Sequence, residues 1–577
     1  MNCIAKCMLA PLGALILMGL SDASCTEQWR RFYDAGAGTD VVTDMAVTSD
    51  GVAYVVGSSL ANFHVDFILH KYTEDGIKQW TARYDRAGRD DGAVAVKLLP
   101  SGHIVVAGTT RDASLNEDIT VAKYNPGGGR DWVRHWNGGL DDECKAMAVD
   151  DNGTIYLLGQ TDNGASLDLV IVTYASDGTA GWVRTYDGPS LLNDQARDIA
   201  VRTATDAVYV CGATRNIGSQ EDMLIVKYLL NGTYQWAKSF DGEAGGSDFA
   251  NAIVLDSAGW PIISGPSGGI GTDSDMWTIK LDAAGVKQWD MRKDGGALGG
   301  DNVTSLAIDG DDNVYVAGRL YTISKSDMGL VKYSGAGAEM WVRSYSSSGG
   351  ADDEEGRDVT LDEFGNVYVT GTSLALTTLK YTSDGSFICA MRPTHSVFDR
   401  GVAVRALSSG RLYVAANWFV DVGDDDTALF LYYHSALMNG QLTLDNLAGP
   451  YPSEITFDIR EPGTLNVLDT LVAPVTGTGA ISVEIRQGTY DLSIKHENWL
   501  RRTQPLVVTG SPGVLDIALT NGDANGDDVV DLLDLNFILT EFAKMPGAAW
   551  ADLDKDGEVG LPDLSTCLLR FGLTGDE

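Results

Sequence analysis

Asp301-Asn-Val-Thr-Ser-Leu-Ala-Ile-Asp-Gly-Asp-Asp-Asn-Val-Tyr-Val-Ala-Gly318, with Lys332-Tyr-Ser-Gly-Ala-Gly-Ala-Glu-Met-Trp341, is the stretch that decides the fold. Its apolar runs alternate with period two and are rich in β-branched residues, which predicts strands. Asp309–Asn313 between them is turn-forming. The unit is expected to hold four strands: Trp289–Lys293, Val303–Ile308, Val314–Gly318 and Met328–Tyr333. The unit also recurs. Trp stands at 29, 80, 132, 182, 236, 289 and 341, a mean spacing of 52 residues, and Cys389 takes the next slot. Gly ends an alternating apolar run at 57, 108, 159, 212, 265, 318 and 371, with Ala416 in the eighth place. The repeat predicts a mainly β chain whose body is a β-propeller of about eight four-stranded blades, seven being the alternative count. A blade covers its faces only by packing on its neighbours, so the recurring Trp is expected between blades. The Trp29 strand precedes the first full unit. It can close the ring by joining the last blade, leaving no unpaired edge.

Over residues 29–440 these units resemble the bacterial β-propeller repeat family named for a seven-bladed propeller. The pattern is Asp-x-Ala-x-x-Ile-Ala-Val-Asp-x-x-Gly-Asn-Val-Tyr-Val-x-Gly, then Lys-Tyr-x-x-x-Gly-x-x-x-Trp, and Asp301–Gly318 with Lys332–Trp341 match it closely. The resemblance implies the fold and little biochemistry. This chain departs in number: eight units are counted, the seventh shortened at Leu374–Thr378 and the eighth degenerate.

The chain has 577 residues, 80 acidic against 42 basic, for a net charge of −38. Such a surface repels phosphate backbones, so a nucleic-acid partner is not expected. The seven Cys include no CxxC pair and the seven His no HExxH, so no zinc motif is present. Residues 1–24 read as a secretory signal peptide: Lys6, the apolar run Met8–Leu20, then Ser21-Asp-Ala-Ser24. No later segment is long and apolar enough to span a bilayer. The mature chain is therefore expected outside the cell or at its surface. Cys25 also admits a lipid anchor, although Asp22 stands where a lipobox carries Leu or Val.

Two acidic columns run through the repeats: Asp40, Asp91, Asp142, Asp194, Asp248, Asp301, Glu354 and Asp399, and Asp66, Asp118, Asp168, Asp222, Asp275, Asp327 and Asp426. They read as a ring of carboxylates for a cation or for acid/base work, or as acceptors for backbone N–H groups of their own loops. Symmetry favours the second reading, because a catalytic pair needs two residues in different roles. No catalytic residue is assigned, and the weight is against an enzyme. The asymmetric features are the sharper ligand candidates: Asp352 and Glu355, and Trp418 with Asp424 and Asp426. A Trp exposed beside Asp residues suits sugar stacking; a packed loop Trp has the same local pattern.

The domains read as 1–24 signal peptide, 25–441 propeller, 442–520 a small antiparallel β-sandwich, and 521–577 a calcium-loop module. Gly488–Lys495 resembles a strand of carboxypeptidase-regulatory-like sandwich domains. In the last module, Asp523–Asp534 and Asp552–Asp563 are twelve-residue loops. Their oxygen donors are Asp523, Asn525, Asp527 and Asp534, then Asp552, Asp554, Asp556 and Asp563. Val529 and Glu558 offer position-7 carbonyls, and Asp531 is a position-9 donor, direct or through water. This is the oxygen set of a hard cation with six to eight ligands, so two Ca2+ ions are expected. Each loop runs into an apolar stripe, Leu532, Leu535, Leu539 and Phe542, then Leu561, Leu564, Leu568 and Phe571, on one helix face. Over residues 521–573 the duplicated loop-helix resembles a dockerin type I-like domain, which implies a cohesin-like partner. Two departures stand out. Asp528 replaces the position-6 Gly, and positions 10 and 11 are Leu532-Leu533 and Leu561-Pro562 where dockerins carry small polar residues. These apolar residues could instead dock on the sandwich. Three functions follow: a binding scaffold with a calcium-stabilised connector, an extracellular polysaccharide-active enzyme or component of such a complex, or a structural matrix component. The partner is a cohesin-like protein or an extracellular carbohydrate. No catalytic constellation is legible, which favours the first.

Overall fold

The computed structural model describes residues 25–575 except 34–38, 62, 217–219, 270–272, 297–298, 323–324, 347–353, 374, 394–398, 408–409, 422–423, 446, 448–449, 497–498, 510–512, 543–550 and 557. The signal-peptide reading of 1–24 lies outside these residues.

Seven four-stranded antiparallel sheets follow one another at 40–84, 91–136, 142–186, 194–240, 252–293, 302–345 and 355–391. An eighth joins Arg400–Ala406, Arg411–Asp421 and Asp424–Leu444 to the N-terminal strand Cys25–Tyr33. That strand pairs antiparallel with the last, Trp29 opposite Leu431 and Phe32 opposite Ala428. The blade count is therefore eight. The two ends of the repeat array share one sheet, and its outer edge is filled.

The cores lie between sheets. Tyr54, Phe67 and Leu69 of the first blade pack on Val96, Ile104 and Val106 of the second. Val42 and Met45 of the first pack on Ala403, Tyr413 and Leu431 of the eighth, which closes the ring. The Trp column works at the same seams. Trp29 Nε1 donates to the Glu74 carbonyl at 3.1 Å, Trp182 to Leu230 at 2.8 Å and Trp289 to Gly335 at 3.1 Å. Each ring covers the turn of the following blade. At Gly76 (φ +72°) an added Cβ would sit 2.6 Å from the Trp29 ring, so both the turn and the approach require glycine there. Cys389, in the Trp slot of blade seven, is disulfide-bonded to Cys25 on the closing strand. That bond uses the sulfur that the lipid-anchor reading required. Spacing alone does not pair these two cysteines.

Two compact units divide the chain: Cys25–His434 with Arg486–Gly488, and Ser435–Ile485 with Thr489–Glu577. The boundary read at 441 thus falls earlier, because strand Asp424–Leu444 is shared. Its first half completes blade eight; its second half pairs with Ala480–Arg486, Gly513–Val514 and Ile517–Leu519. The last two pairings are parallel, so the sandwich is mixed rather than purely antiparallel. Its other sheet runs Val467–Pro474, Glu454–Arg460, Gly488–His496, Trp499–Val508. Leu442, Phe457, Ile485, Leu492, Ile494 and Trp499 fill the space between.

Helices Leu532–Glu541 and Leu561–Arg570 follow the two acidic loops. Their buried faces carry Asp534 and Ile538, and Asp563, Thr566 and Cys567. An Asp that must turn into its loop brings the residue four positions on, one helical turn away, to the inside with it. Of the expected stripes, Leu535 and Leu564 pack against this small core. Leu532, Leu539, Leu561 and Leu568 are 68%, 54%, 71% and 54% exposed, so they do not dock on the sandwich. Among the described residues no helix is long and apolar enough to cross a membrane.

Two predictions follow. Cys389→Ser, or reduction of the wild type, frees the closing strand and is expected to cost about 2–5 kcal/mol in urea denaturation of the propeller. An unchanged midpoint would mean that the strand pairing alone holds the ring. The second concerns His70, buried with Nδ1 2.9 Å from Thr81 Oγ1 and its ring 4.1 Å from Tyr33. Burial, then the Lys78 and Arg83 charges, lower its pKa to about 3. The unfolded chain binds this proton below about 6.5 and the fold does not, so stability present above 6.5 is lost as pH falls toward 3. Over that window His70→Phe should flatten the stability slope by about 1.4 kcal/mol per pH unit relative to wild type. Equal slopes would refute the assignment.

Candidate functional site

The first strand of each blade faces the propeller axis, and nearly all carry one residue more than their partner strand. The extra residues are Thr43, Val94, Lys145, Arg197, Thr304, Arg357 and Val402. A bulge re-aims its side chain, and these seven line an axial cavity of about 350 Å³. The position after the bulge carries Asp44, Asp198 and Asp358 in three blades and Ala or Ser in the others. Each Asp joins its blade to the next. Asp44 accepts from Val96 N at 3.1 Å, Asp198 from Ile253 N at 3.0 Å and Asp358 from Val404 N at 2.9 Å. Arg405 spans two of them, with Nη1 2.5 Å from Asp358 and Nη2 2.9 Å from Asp44. Among the described residues no arginine pairs with Asp198, and burial pushes it up to about 6 against the Ile253 and Ile199 N–H groups and Lys97. Lys145, Arg197 and Arg357 add positive charge to the lining of a strongly acidic chain. Among the described residues the lining contains neither Cys nor His. The cavity thus offers hydrogen bonds and charge, the chemistry of binding a polar group.

This asymmetric set was not read from the sequence. Its signal was present: an acid four residues before an Asp recurs at Asp40/Asp44, Asp194/Asp198 and Glu354/Asp358.

The first acidic column is buried and holds backbone. Asp91 accepts from Arg86 N at 2.6 Å and Arg111 N at 3.1 Å; Asp301 accepts from Gly295 N at 2.7 Å and Tyr321 N at 2.6 Å. Burial still pushes Asp91 up to about 7 and Asp301 up to about 6. The second column uses side chains. Asp66 meets Arg83 at 2.8 Å, Asp118 meets Arg86 at 2.5 Å and Asp327 accepts from Thr322 Oγ1 at 2.8 Å.

The sugar-stacking reading of Trp418 is corrected. Its side chain is 5% exposed, and Phe32 and Phe430 lie against it with ring centroids 5.0 and 5.6 Å away. It belongs to the core of blade eight. Asp426 opposes it across the strand pair. Glu355 accepts from Asn302 Nδ2 at 3.3 Å and faces Arg357 at 3.5 Å. Asp352 and the Asp424 side chain lie outside the described residues.

The C-terminal loops are built alike. Asp534 accepts from Asn525 N at 2.9 Å and Asp531 N at 2.8 Å, and Asp563 from Leu553 N at 2.6 Å and Gly560 N at 2.7 Å. Asp528 takes the left-handed conformation at position 6 (φ 65°). Its side chain turns to the sandwich, where it accepts from Lys495 Nζ at 2.6 Å and Arg501 N at 2.9 Å. Lys495 also pairs with Asp523. In the second loop one oxygen each of Asp552, Asp554 and Asp563 lies within 4.8 Å of the others. Burial, with Asp563 and the other loop carboxylates, pushes Asp554 up to about 6.

Comparison with known proteins bears mainly on the propeller. The family model described as a β-propeller repeat matches residues 345–375. No curated protein matches this sequence. Sqt1 from Chaetomium thermophilum is similar over 71% of this chain and 100% of its own, at 10% identity and a TM-score of 0.48. The β-propeller domain of the Trilobed protease from Pyrococcus furiosus is similar over 63% of this chain and 99% of its own, at 10% identity and a TM-score of 0.38. A type II Cohesin-X-Dockerin complex from Acetivibrio cellulolyticus matches 24% of this chain and 97% of its own, at 21% identity and a TM-score of 0.21. Eight four-stranded sheets closed into a ring make this part of the chain a β-propeller, and one of its repeats, at residues 345–375, matches the β-propeller repeat model.

Proposed function

We propose that this chain is an exported binding scaffold whose propeller presents its polar channel and loops to a ligand, with a calcium-ordered, dockerin-like C-terminal module as its connector. The observation that carries the reading is the exposure of Leu532, Leu533 and Leu561, at 68%, 56% and 71%. Apolar side chains turned to water at the same positions of two repeated loops suit a protein docking surface. In the dockerin resemblance these are the positions that meet cohesin. Their apolar character here favours an apolar groove on the partner. With Trp418 buried, the carbohydrate reading loses its aromatic platform, so a protein partner is favoured.

Asp523, Asn525, Asp527, Asp531, Asp534 and the Val529 carbonyl would hold one Ca2+. Asp552, Asp554, Asp556, Asp563 and the Glu558 carbonyl would hold a second. All donors are oxygens, and the converging oxygens of the second loop suit one ion. A bound ion would neutralise these carboxylates and fix each loop against the helix that follows. Lys495 shares Asp523, so an ion entering the first loop must displace its ammonium.

Calorimetric titration of the full chain with calcium chloride checks this. Asp563→Asn should weaken one site at least tenfold, and Lys495→Met should tighten another. Identical isotherms for all three proteins would reject the calcium reading. For the partner, the full chain is presented to a panel of purified cohesin modules. Association in calcium, lost with a chelator and in Leu561→Asp, is expected. Silence across the panel with a response on a glycan array would reject the protein connector in favour of carbohydrate.

A further inference from the structure

The axial cavity inverts the charge balance of the chain. Its lining holds five cations against three carboxylates, where the whole chain has 42 basic and 80 acidic residues. Three of the cations, Lys145, Arg197 and Arg357, are bulge residues on blades three, four and seven. In the other blades that place holds Thr, Val or Asn. Blades three and four are neighbours, and blade seven lies four places on from blade three in a ring of eight, on its far side. The cations therefore approach the cavity from two sides.

The carboxylates of the lining are already served. Asp44 and Asp358 share Arg405, and Lys97 Nζ lies 3.5 Å from Asp44. These two cations and two carboxylates cancel, which leaves Asp198 against the three bulge cations. Asp198 accepts from Ile199 N at 2.8 Å and Ile253 N at 3.0 Å. Arg197 is the least committed of the three. Among the described residues it makes no ion pair. Its Nη2 donates to Gln195 Oε1 at 3.0 Å, and its guanidinium lies over the Phe249 ring, 5.6 Å from the centroid. A guanidinium stacked on an aromatic face keeps its N–H edge for a partner. Where blade four has Gln195, blades three and seven have Glu143 and Glu355, which pair with Lys145 and Arg357, the second at 3.5 Å. Both pairs are partly exposed, and such pairs contribute little, so either cation can turn to a ligand.

We propose that the axial cavity binds a small organic dicarboxylate, held by Arg197 with Lys145 at one end and by Arg357 at the other. A guanidinium offers two parallel N–H donors, which match the two oxygens of a carboxylate. Cations on two sides of the cavity suit a molecule with a carboxylate at each end. About 350 Å³ stands near the low end of small-molecule sites, which is room for a small acid rather than a folded chain. Arg197 and Arg357 are exposed, so the cationic part of the lining is open to an entering anion. The inference rests on the reading of the propeller as a binding scaffold and narrows its channel to one ligand chemistry.

Calorimetric titration of the full chain with sodium succinate tests it, with sodium sulfate as a tetrahedral anion for comparison. Succinate is expected to bind once per chain and more tightly than sulfate. Arg197→Gln, at an exposed side chain, should weaken succinate by about tenfold or more while leaving the Tm of the free protein unmoved. Glu143→Gln, which releases Lys145, should tighten it. Absence of succinate binding overturns the proposal, as does an isotherm unchanged by Arg197→Gln. Sulfate bound more tightly than succinate overturns it too, in favour of a sulfate or phosphate ester. The cohesin panel is run on the same proteins. Calcium-dependent association that persists without succinate binding would remove this inference and leave the scaffold and its connector standing; loss of both would remove the scaffold reading as well.

Discussion

One extra residue in the innermost strand of a blade governs much of the propeller. Where Thr43 or Arg197 bulges, the carbonyl just before Val42 or Ala196 swings toward the second strand. It comes within 1.8 Å of where a Cβ would stand on Gly57 or Gly212. Glycine leaves room for that oxygen, which is why the second strand ends its apolar run on glycine in seven blades; in the eighth, Ala416 stands opposite Gly401. The same swelling turns the bulged side chain to the axis. The most regular residue of the repeat and the most variable one, from Thr43 to Arg357, thus share one backbone irregularity. The variable one can differ between blades because it meets the cavity, where no neighbouring sheet constrains its size.

The blade ring was legible from the sequence because each of its signals is local. Period-two runs, turn residues and the Trp column lie within a single unit, and the Trp29 strand was visible as a fragment that needs a partner. Whatever depended on contact between distant parts of the chain was not. Trp418 sits among Asn417, Phe419 and the Asp424–Asp426 run, a pattern that a solvent-facing aromatic would share. Its burial is decided by Phe32, which arrives from the other end of the chain through ring closure. Closure likewise brings Cys25 to Cys389. In the C-terminal helices the spacing of leucines places an apolar stripe on one helix face. The inner face is set instead by the carboxylate of Asp534 or Asp563, which must reach back to the loop N–H groups and brings Ile538 or Cys567 inward with it.

Crowded carboxylates are the cost of this architecture, and the chain meets it by two means. Backbone N–H donors serve the first acidic column, as at Asp91 and Asp301. Guanidinium groups serve Asp66, Asp118 and the Asp44–Asp358 pair. Two like charges about 4 Å apart at an effective dielectric of 20 repel by about 4 kcal/mol, against about 1.5–3 kcal/mol for one charge-assisted hydrogen bond. One donor for each carboxylate therefore does not offset a close neighbour, and Arg83 adds a counter-charge to Asp66.

The C-terminal module also brings a cation of the chain to its carboxylates. Its two loops share their position-12 contacts, and the Lys495 ammonium reaches the first of them. Asp528 holds that ammonium as well. A glycine at position 6 would satisfy the left-handed turn and offer the sandwich nothing; aspartate makes the turn and anchors Arg501 and Lys495 as well. The substitution that reads in the sequence as a defect of the first loop is, in the fold, the residue that ties that loop to its neighbouring domain. Lys495 bridges Asp523 and Asp528, so the position-6 side chain and the sandwich together hold a positive charge against the first carboxylate of that loop.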